Sequence, residues 1–382
     1  MNKLQFELNP ALETVGDHKA LWNSPDFRRW GFHNLHNNAR YSLNLRSDYV
    51  LALEKRFDRR IGDMDEVRRL TGSNIFSAMV VVRGQHVLHE AYADDFGPDC
   101  PHSIMSISKT HLNLIIGALQ ADGILDLSRT VASYIPDIGS GYAEATIQQV
   151  LNMDVANDYT EDYADSFASS YAHEVSMGWR LPLDDEIDEP QAAFLKKISS
   201  PDTTNRSGES LYKSANTEVL GMVVEAVSGR SLRAWLIEIV EAAGLENALH
   251  ISTDRAGVPS MNGGCSLTAR DLARYGSLFV RRGAGVNGRQ VGNAGFIEAT
   301  LQQGVPMPKP RQALRYSNQT NTNGRWLGHG GYGGQYMLAD LSSGVVGVFY
   351  SVLLNRHASD PDYSSEIIDM LQGIGELSFD NE

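Results

Sequence analysis

Two β-rich hairpin patterns stand at opposite ends of this chain, and the stretch between them is patterned mostly for helices. The first runs Phe76-Ser-Ala-Met-Val-Val-Val82, turns at Arg83-Gly84, and continues His86-Val-Leu-His-Glu-Ala-Tyr92. The second runs Gln335-Tyr-Met-Leu-Ala-Asp340, turns at Ser342-Ser-Gly344, and continues Val345-Val-Gly-Val-Phe-Tyr-Ser-Val352. Runs rich in β-branched and aromatic residues, joined by a short glycine-bearing turn, read as hairpins. Strands at both ends with helices between them predict an α+β fold of the α/β-sandwich type. One antiparallel sheet is assembled from both chain ends and flanked by helices, with an all-helical insertion. The expected division puts 1–128 and 258–382 in the α/β domain and 129–257 in the inserted helical domain.

Leu112, Ile115, Ile116 and Leu119 recur at helical spacing, which predicts a helix over 106–122 closed by Gly123. Further helices are expected over 51–69, over 217–228 up to Gly229, over 269–281 and over 364–371. The first 65 residues are polar, with Trp22, Trp30 and Phe32 as anchors onto a core.

Composition narrows the functional classes. An apolar content of 42% and a charged content of 21% suit a soluble globular protein. The net charge of -14 argues against a nucleic-acid groove and against an anionic membrane surface. Cys100 and Cys265 make no disulfide framework and lack the paired spacing of a zinc site. No HExxH occurs and the histidines form no ligand cluster, so neither a metal nor another cofactor is expected. The opening residues 1–10 lack a signal-peptide apolar run, and no stretch approaches the ~20 apolar residues that span a bilayer, so a cytoplasmic location is expected. Assembly as a homodimer stays open.

Three segments carry chemistry. Ser106-Ile-Ser-Lys109 at the start of a helix places a hydroxyl and an amine on one face, where the serine N–H also helps to bind a developing oxyanion. A second S-x-x-K, Ser210-Leu-Tyr-Lys213, shows that the pattern alone is weak. Tyr212-Lys-Ser214-Ala-Asn216 precedes a helix that Ser214 or Asn216 could cap, and Tyr212 could exchange a proton with Ser106. Gly328-His-Gly-Gly-Tyr-Gly-Gly-Gln335 marks backbone approached closely. Its G-x-G-x-x-G spacing leads into a strand rather than a helix, which excludes the dinucleotide reading. His329 is either a general base or a structural histidine.

The order of the three segments is that of the serine β-lactamases and penicillin-binding proteins. The chain resembles that superfamily in its class C β-lactamase and esterase branch. The flanks of Ser106, the stretch Gly123-Ile-Leu-Asp-Leu-Ser-Arg-Thr-Val-Ala-Ser-Tyr-Ile-Pro136, and the Leu220-Gly221 spacing from Tyr212 carry the resemblance. It is further similar to the 6-aminohexanoate-dimer (nylon oligomer) hydrolases in Tyr212-x-Ser214, Gly331-Tyr-Gly-Gly-Gln-Tyr336 and the Asp158-Tyr-Thr-Glu-Asp-Tyr163 loop.

The resemblance implies an acyl-enzyme hydrolase of small-molecule amides or esters. Ser106 is the nucleophile, Lys109 and Tyr212 are its partners, and Ser214 steadies Lys109. The N–H of Tyr332, next to Gly331, lies at the oxyanion, and the acidic loop 154–171 is a lid carrying Tyr163. Either Lys109 or a Tyr212 tyrosinate is the base. An acyltransferase or a slowly acylating sensor are the alternatives. Ser214 replaces the β-lactamase Asn, and His329 replaces a lysine that pairs with the substrate carboxylate. That exchange predicts poor turnover of β-lactams, and a gain for carboxylate substrates near pH 5.5 if His329 faces the pocket.

Overall fold

The computed structural model describes residues 21–379 apart from Ala164, Ser166 and Asp184, so the opening segment 1–10 lies outside the described residues. In chain order the strands are β1 (Ser42–Leu45), β2 (Glu54–Lys55), β3 (Phe76–Arg83), β4 (His86–Tyr92), β5 (His102–Ser103), β6 (Leu249–Ser252), β7 (Cys265–Leu267), β8 (Val305–Pro306), β9 (Arg315–Ser317), β10 (Thr320–Thr322), β11 (Trp326–Gly331), β12 (Gln335–Asp340) and β13 (Val345–Ser351). The principal sheet has the order β2-β4-β3-β13-β12-β11-β10-β9-β8. Its centre is the seam between the two expected hairpins, with Val348 opposite Val80 and Phe349 opposite Met79. A smaller sheet runs β1-β6-β7-β5.

The unbroken apolar runs follow from burial on both faces. Ala78, Val80 and Val82 of β3 point into the main core with Val346 and Val348 of β13, while Phe76, Met79 and Val81 point into a second core with Val345 and Phe349. The helices used below are α1 (Arg28–Asn38), α2 (Arg59–Asp63), α3 (Asp65–Thr71), α4 (His111–Ala121), α5 (Ser214–Ser228), α6 (Ala269–Val280) and α7 (Pro361–Gly375). Helix α6 covers the first face of the sheet, and α3 and α7 cover the other.

Several sequence expectations are corrected. Residues 51–58 are not helical: the Glu54 N–H bonds the Gln85 carbonyl, and β2 lies parallel to β4 at the sheet edge. The helix starts only where Asp58 accepts from the Arg60 N–H at 3.0 Å and caps α2. Segment 129–257 is not wholly helical, because Leu249, Ile251 and Ser252 are buried in β6, which pairs with β1 and β7. Helix α7 is longer than expected, since Asp360 caps it and Pro361 fills its first position. Trp22 and Phe32 are buried, but Trp30 is exposed. No helix among the described residues is long and apolar enough to cross a membrane.

The two-faced burial makes a mid-sheet aromatic expensive to remove. Phe349 is fully buried, and its ring lies 5.4 Å from that of Phe76. Phe349→Ala should therefore lower unfolding stability in urea by about 3–5 kcal/mol. A loss below about 1 kcal/mol would contradict this packing.

Candidate active site

Ser106 follows β5 in a short 3-10 helix, Met105–Thr110, and the α-helix expected from Ser106 begins only at His111. Two hydroxyls tighten the turn: Ser108 Oγ donates to the Met105 carbonyl and Thr110 Oγ1 to the Ile107 carbonyl, both at 2.7 Å. In a 3-10 turn, residues three apart eclipse, so Lys109 stacks over Ser106 more directly than an α-helix would allow. Met105 has φ 46°, a left-handed conformation rare outside glycine, held by its burial beside Trp22, Phe32 and Trp179.

Tyr212 comes from the extended segment before α5, and its hydroxyl donates to Ser106 Oγ at 2.7 Å. Lys109 is fully buried, and its Nζ lies 3.1 Å from Ser106 Oγ and 3.1 Å from Ser214 Oγ, with the Asn262 carbonyl as third partner. Chemistry fixes the sense of two of these bonds. The Asn262 carbonyl can only accept. Ser214 Oγ donates to the Glu161 carboxylate at 2.8 Å and so accepts from Lys109. A neutral amine has two N–H bonds, which these acceptors occupy, leaving its lone pair for the Ser106 hydroxyl.

Burial lowers the Lys109 pKa to about 8 against the opposing pull of Glu161 and Glu218. Burial, then the Glu161 charge, pushes the Tyr212 phenol far above its usual value. A tyrosinate is therefore disfavoured, and of the two bases left open by the sequence the electrostatics favour Lys109.

The expected caps of α5 are not used. The helix begins at Ser214, whose N–H is taken by the Glu161 carboxylate, an acid at the positive helix end. Asn216 is inside the helix and accepts from the Tyr142 hydroxyl at 2.8 Å. Ser210 and Lys213, the second S-x-x-K, lie in extended chain, where Lys213 Nζ bonds the Asn157 and Tyr159 carbonyls.

Gly331 ends β11 against the serine turn. A Cβ there would stand 2.6 Å from the Ile104 carbonyl oxygen and 3.1 Å from Met105 Cβ. His329, on the same strand, is corrected from a titrating group to a fixed one. It is 3% exposed, with Nδ1 on the Gly330 carbonyl at 2.6 Å and Nε2 on the Tyr316 hydroxyl at 3.2 Å. Burial, then the Lys109 charge, depresses its pKa to about 3, so it stays neutral at pH 5.5 and leaves no nitrogen for general-base work.

The acidic loop divides in two. Its first half is tied down by Asp158, which accepts from the Ser199 N–H at 2.8 Å, and by buried Tyr159. Beyond it, Tyr163 is partly exposed, donates to Glu161 at 3.0 Å, and has its ring 5.1 Å from the Tyr332 ring and tilted 47° to it.

Two hollows meet at Ser106. One is a recess of about 40 Å³ lined by Trp22, Glu161, Glu174, Trp179 and Asn262. The other is a cavity of about 290 Å³ that includes Tyr212, His329 and Tyr332. Glu161, Glu174, Glu218 and Asn262 were not legible as a set, since sequence places them in unrelated segments. The one signal was Gly263-Gly264 after Asn262: a Cβ on Gly263 would stand 3.0 Å from the Trp179 ring.

Because Gly331 and the serine turn touch through backbone, Gly331→Ala should lower kcat about a hundredfold or more, with circular dichroism still native. Activity within threefold of wild type would contradict that contact.

Comparison with known proteins agrees with this geometry. The family model described as Beta-lactamase matches residues 67–371. A 6-aminohexanoate-dimer hydrolase of Paenarthrobacter ureafaciens is 33% identical over 287 residues, which is 74% of this chain and 72% of that protein. A solved Bacillus anthracis protein, assigned to the 6-aminohexanoate-dimer hydrolases, matches with TM-score 0.79 at 22% identity over 96% of this chain and 98% of its own. A D-stereospecific amidohydrolase from Streptomyces sp. matches with TM-score 0.57 at 18% identity over 81% and 98%. The two structural likenesses speak for the fold, and the chain belongs to the beta-lactamase family.

Proposed function

We propose that the protein is a serine hydrolase that cleaves an amide or ester bond of a small molecule through an acyl-enzyme on Ser106. The observation that carries this reading is Ser106 Oγ held between Lys109 Nζ and the Tyr212 hydroxyl, with the other partners of Lys109 restricted to acceptors. At pH 7 a group of pKa about 8 is neutral in about one molecule in ten, against about one in 2,500 for a free lysine.

The neutral amine takes the Ser106 proton as Oγ bonds to the carbonyl carbon. The carbonyl oxygen becomes an oxyanion between the N–H groups of Ser106 and Tyr332. On collapse the bond to the leaving nitrogen or oxygen breaks, and that atom takes the Tyr212 proton. The proton held by Lys109 then restores the phenol. Water attacks the acyl-enzyme next, giving the carboxylic acid and free Ser106.

The relative named as a 6-aminohexanoate-dimer hydrolase favours hydrolysis. The recess beside Ser106 contains Glu161 and Glu174 and no Lys or Arg, which suits an acyl half carrying an amino group. The neutral His329 leaves the third segment without the cation that would hold a β-lactam carboxylate, so penicillins should be poor substrates.

Intact-mass spectrometry after a fluorophosphonate should give one adduct that maps to Ser106 and is lost in Ser106→Ala. An adduct on Ser210 would overturn the assignment. Lys109→Ala and Tyr212→Phe should each lower kcat by several orders of magnitude, and the double variant should be little worse than the poorer single, because groups in one proton relay fail together. Nearly multiplicative losses would show that the two act separately.

A further inference from the structure

We propose that the segment ahead of α1, through Trp22, is the wall that limits the acyl half of the substrate to a short chain. The inference rests on the hydrolase reading above and assigns a length limit to its acyl side.

Tyr212 decides which side of Ser106 receives which half. Its hydroxyl is the proton donor to the leaving atom, and it lines the cavity of about 290 Å³ but not the recess of about 40 Å³. The leaving half therefore occupies the cavity, and the acyl half stays in the recess. A water-sized group needs about 10–15 Å³ of such space, so the recess admits about three of them. An acetyl or propionyl group fits within that. The five carbons beyond the carbonyl of a hexanoyl chain do not, unless a wall gives way.

The walls differ in origin. Met105 and Trp179 come from the body of the fold. Trp22 and Asn23 come from a segment that precedes residue 67, where the match to the family model begins. Trp22 is 4% exposed, and its indole meets that of Trp179 edge-on, with 5.9 Å between the rings. Its other neighbour is the Phe32 ring of α1, also at 5.9 Å. The two indoles make a corner of the recess.

That corner is braced from behind. A Cβ on Gly31 would stand 2.1 Å from the Trp22 carbonyl oxygen, so α1 packs on the Trp22 backbone without a gap. The next residue is pinned on three sides. Asn23 Oδ1 accepts from Arg28 Nε at 2.8 Å, its carbonyl accepts from Arg28 Nη2 at 2.8 Å, and its Nδ2 donates to the Tyr332 hydroxyl at 3.3 Å. Arg28 in turn bonds the Leu353 and Asn355 carbonyls. Trp179 is held by its own N–H, which donates to Ser252 Oγ at 2.7 Å. Carbons pressed against a close-packed wall force side chains off their rotamers and shift backbone, which is costly.

The test is steady-state hydrolysis of p-nitrophenyl acetate, butyrate and hexanoate by the full chain, where only the acyl half changes. In wild type, kcat/KM should fall from acetate to hexanoate by at least about fivefold. Trp22→Ala opens the corner and should bring the two within about twofold, and Trp22→Phe should reduce the ratio by about half. A substitution that merely loosens the fold lowers both esters alike and leaves the ratio where it was. A wild-type ratio below fivefold, with turnover abolished in Ser106→Ala, overturns the length limit alone. So does a wild-type ratio that persists in Trp22→Ala, or in Trp22→Phe should Trp22→Ala not fold. Turnover of no ester, or turnover that survives Ser106→Ala, overturns the hydrolase reading and the limit with it.

Discussion

Removing the Lys109 amine from water is the constraint on which the rest of the site depends. A fully buried ammonium is disfavoured, and the shift from 10.5 to about 8 corresponds to about 3 kcal/mol against the charged form. Burial without partners would be costlier still. Three segments far apart in sequence therefore converge on one nitrogen: the serine turn, the first residue of α5, and the Asn262 carbonyl. Behind them stands Glu218, one helical turn beyond Ser214. It is buried, accepts from the Asn262 N–H at 2.7 Å, and has its carboxyl pushed up to about 8 by that burial. The peptide of Asn262 is thus gripped on both sides, by Glu218 at its N–H and by Lys109 at its carbonyl.

The sheet supplies the frame for this convergence. Strands from both chain ends meet at β3 and β13, which places β11 against the turn that follows β5. Gly331 matters because this approach is backbone to backbone, with no room for a side chain. The N-terminal helix closes the same corner. Buried Arg28 donates to the Leu353 carbonyl at 2.7 Å and the Asn355 carbonyl at 2.6 Å, tying α1 to the chain beyond β13, and Phe32 packs 6.3 Å from the Tyr332 ring.

The sequence was most informative where one periodicity applied over a long run. The β3, β4, β12 and β13 strands were legible because their apolar runs are bounded by turn residues, and α6 lies where a helix over 269–281 was expected, with Thr268 as the cap that the structure adds. The conformation around Ser106 was not, since choosing a 3-10 turn over an α-helix depends on the Ser108 and Thr110 hydroxyls bonding backward. β2 escaped because its two residues pair only through a sheet edge contributed by β4. Ser106, Lys109 and Tyr212 stood out as residue types in an ordered series. Glu161, Glu218 and Asn262 did not, because their bearing on Lys109 arises only when the chain is folded. His329 shows the opposite failure: its type suggested titration near neutrality, and only its burial beneath Tyr316 removes it.

The account turns on a lysine whose hold on its proton is weakened by the fold, from a pKa of 10.5 to about 8. The most direct measurement is an NMR titration of the side-chain carbon next to the amine in protein labelled at lysine, with the Lys109 signal assigned by Lys109→Arg. A midpoint near pH 8 is the expected result. A midpoint at or above 10, where an exposed lysine titrates, would contradict the claim that Lys109 is the base beside Ser106.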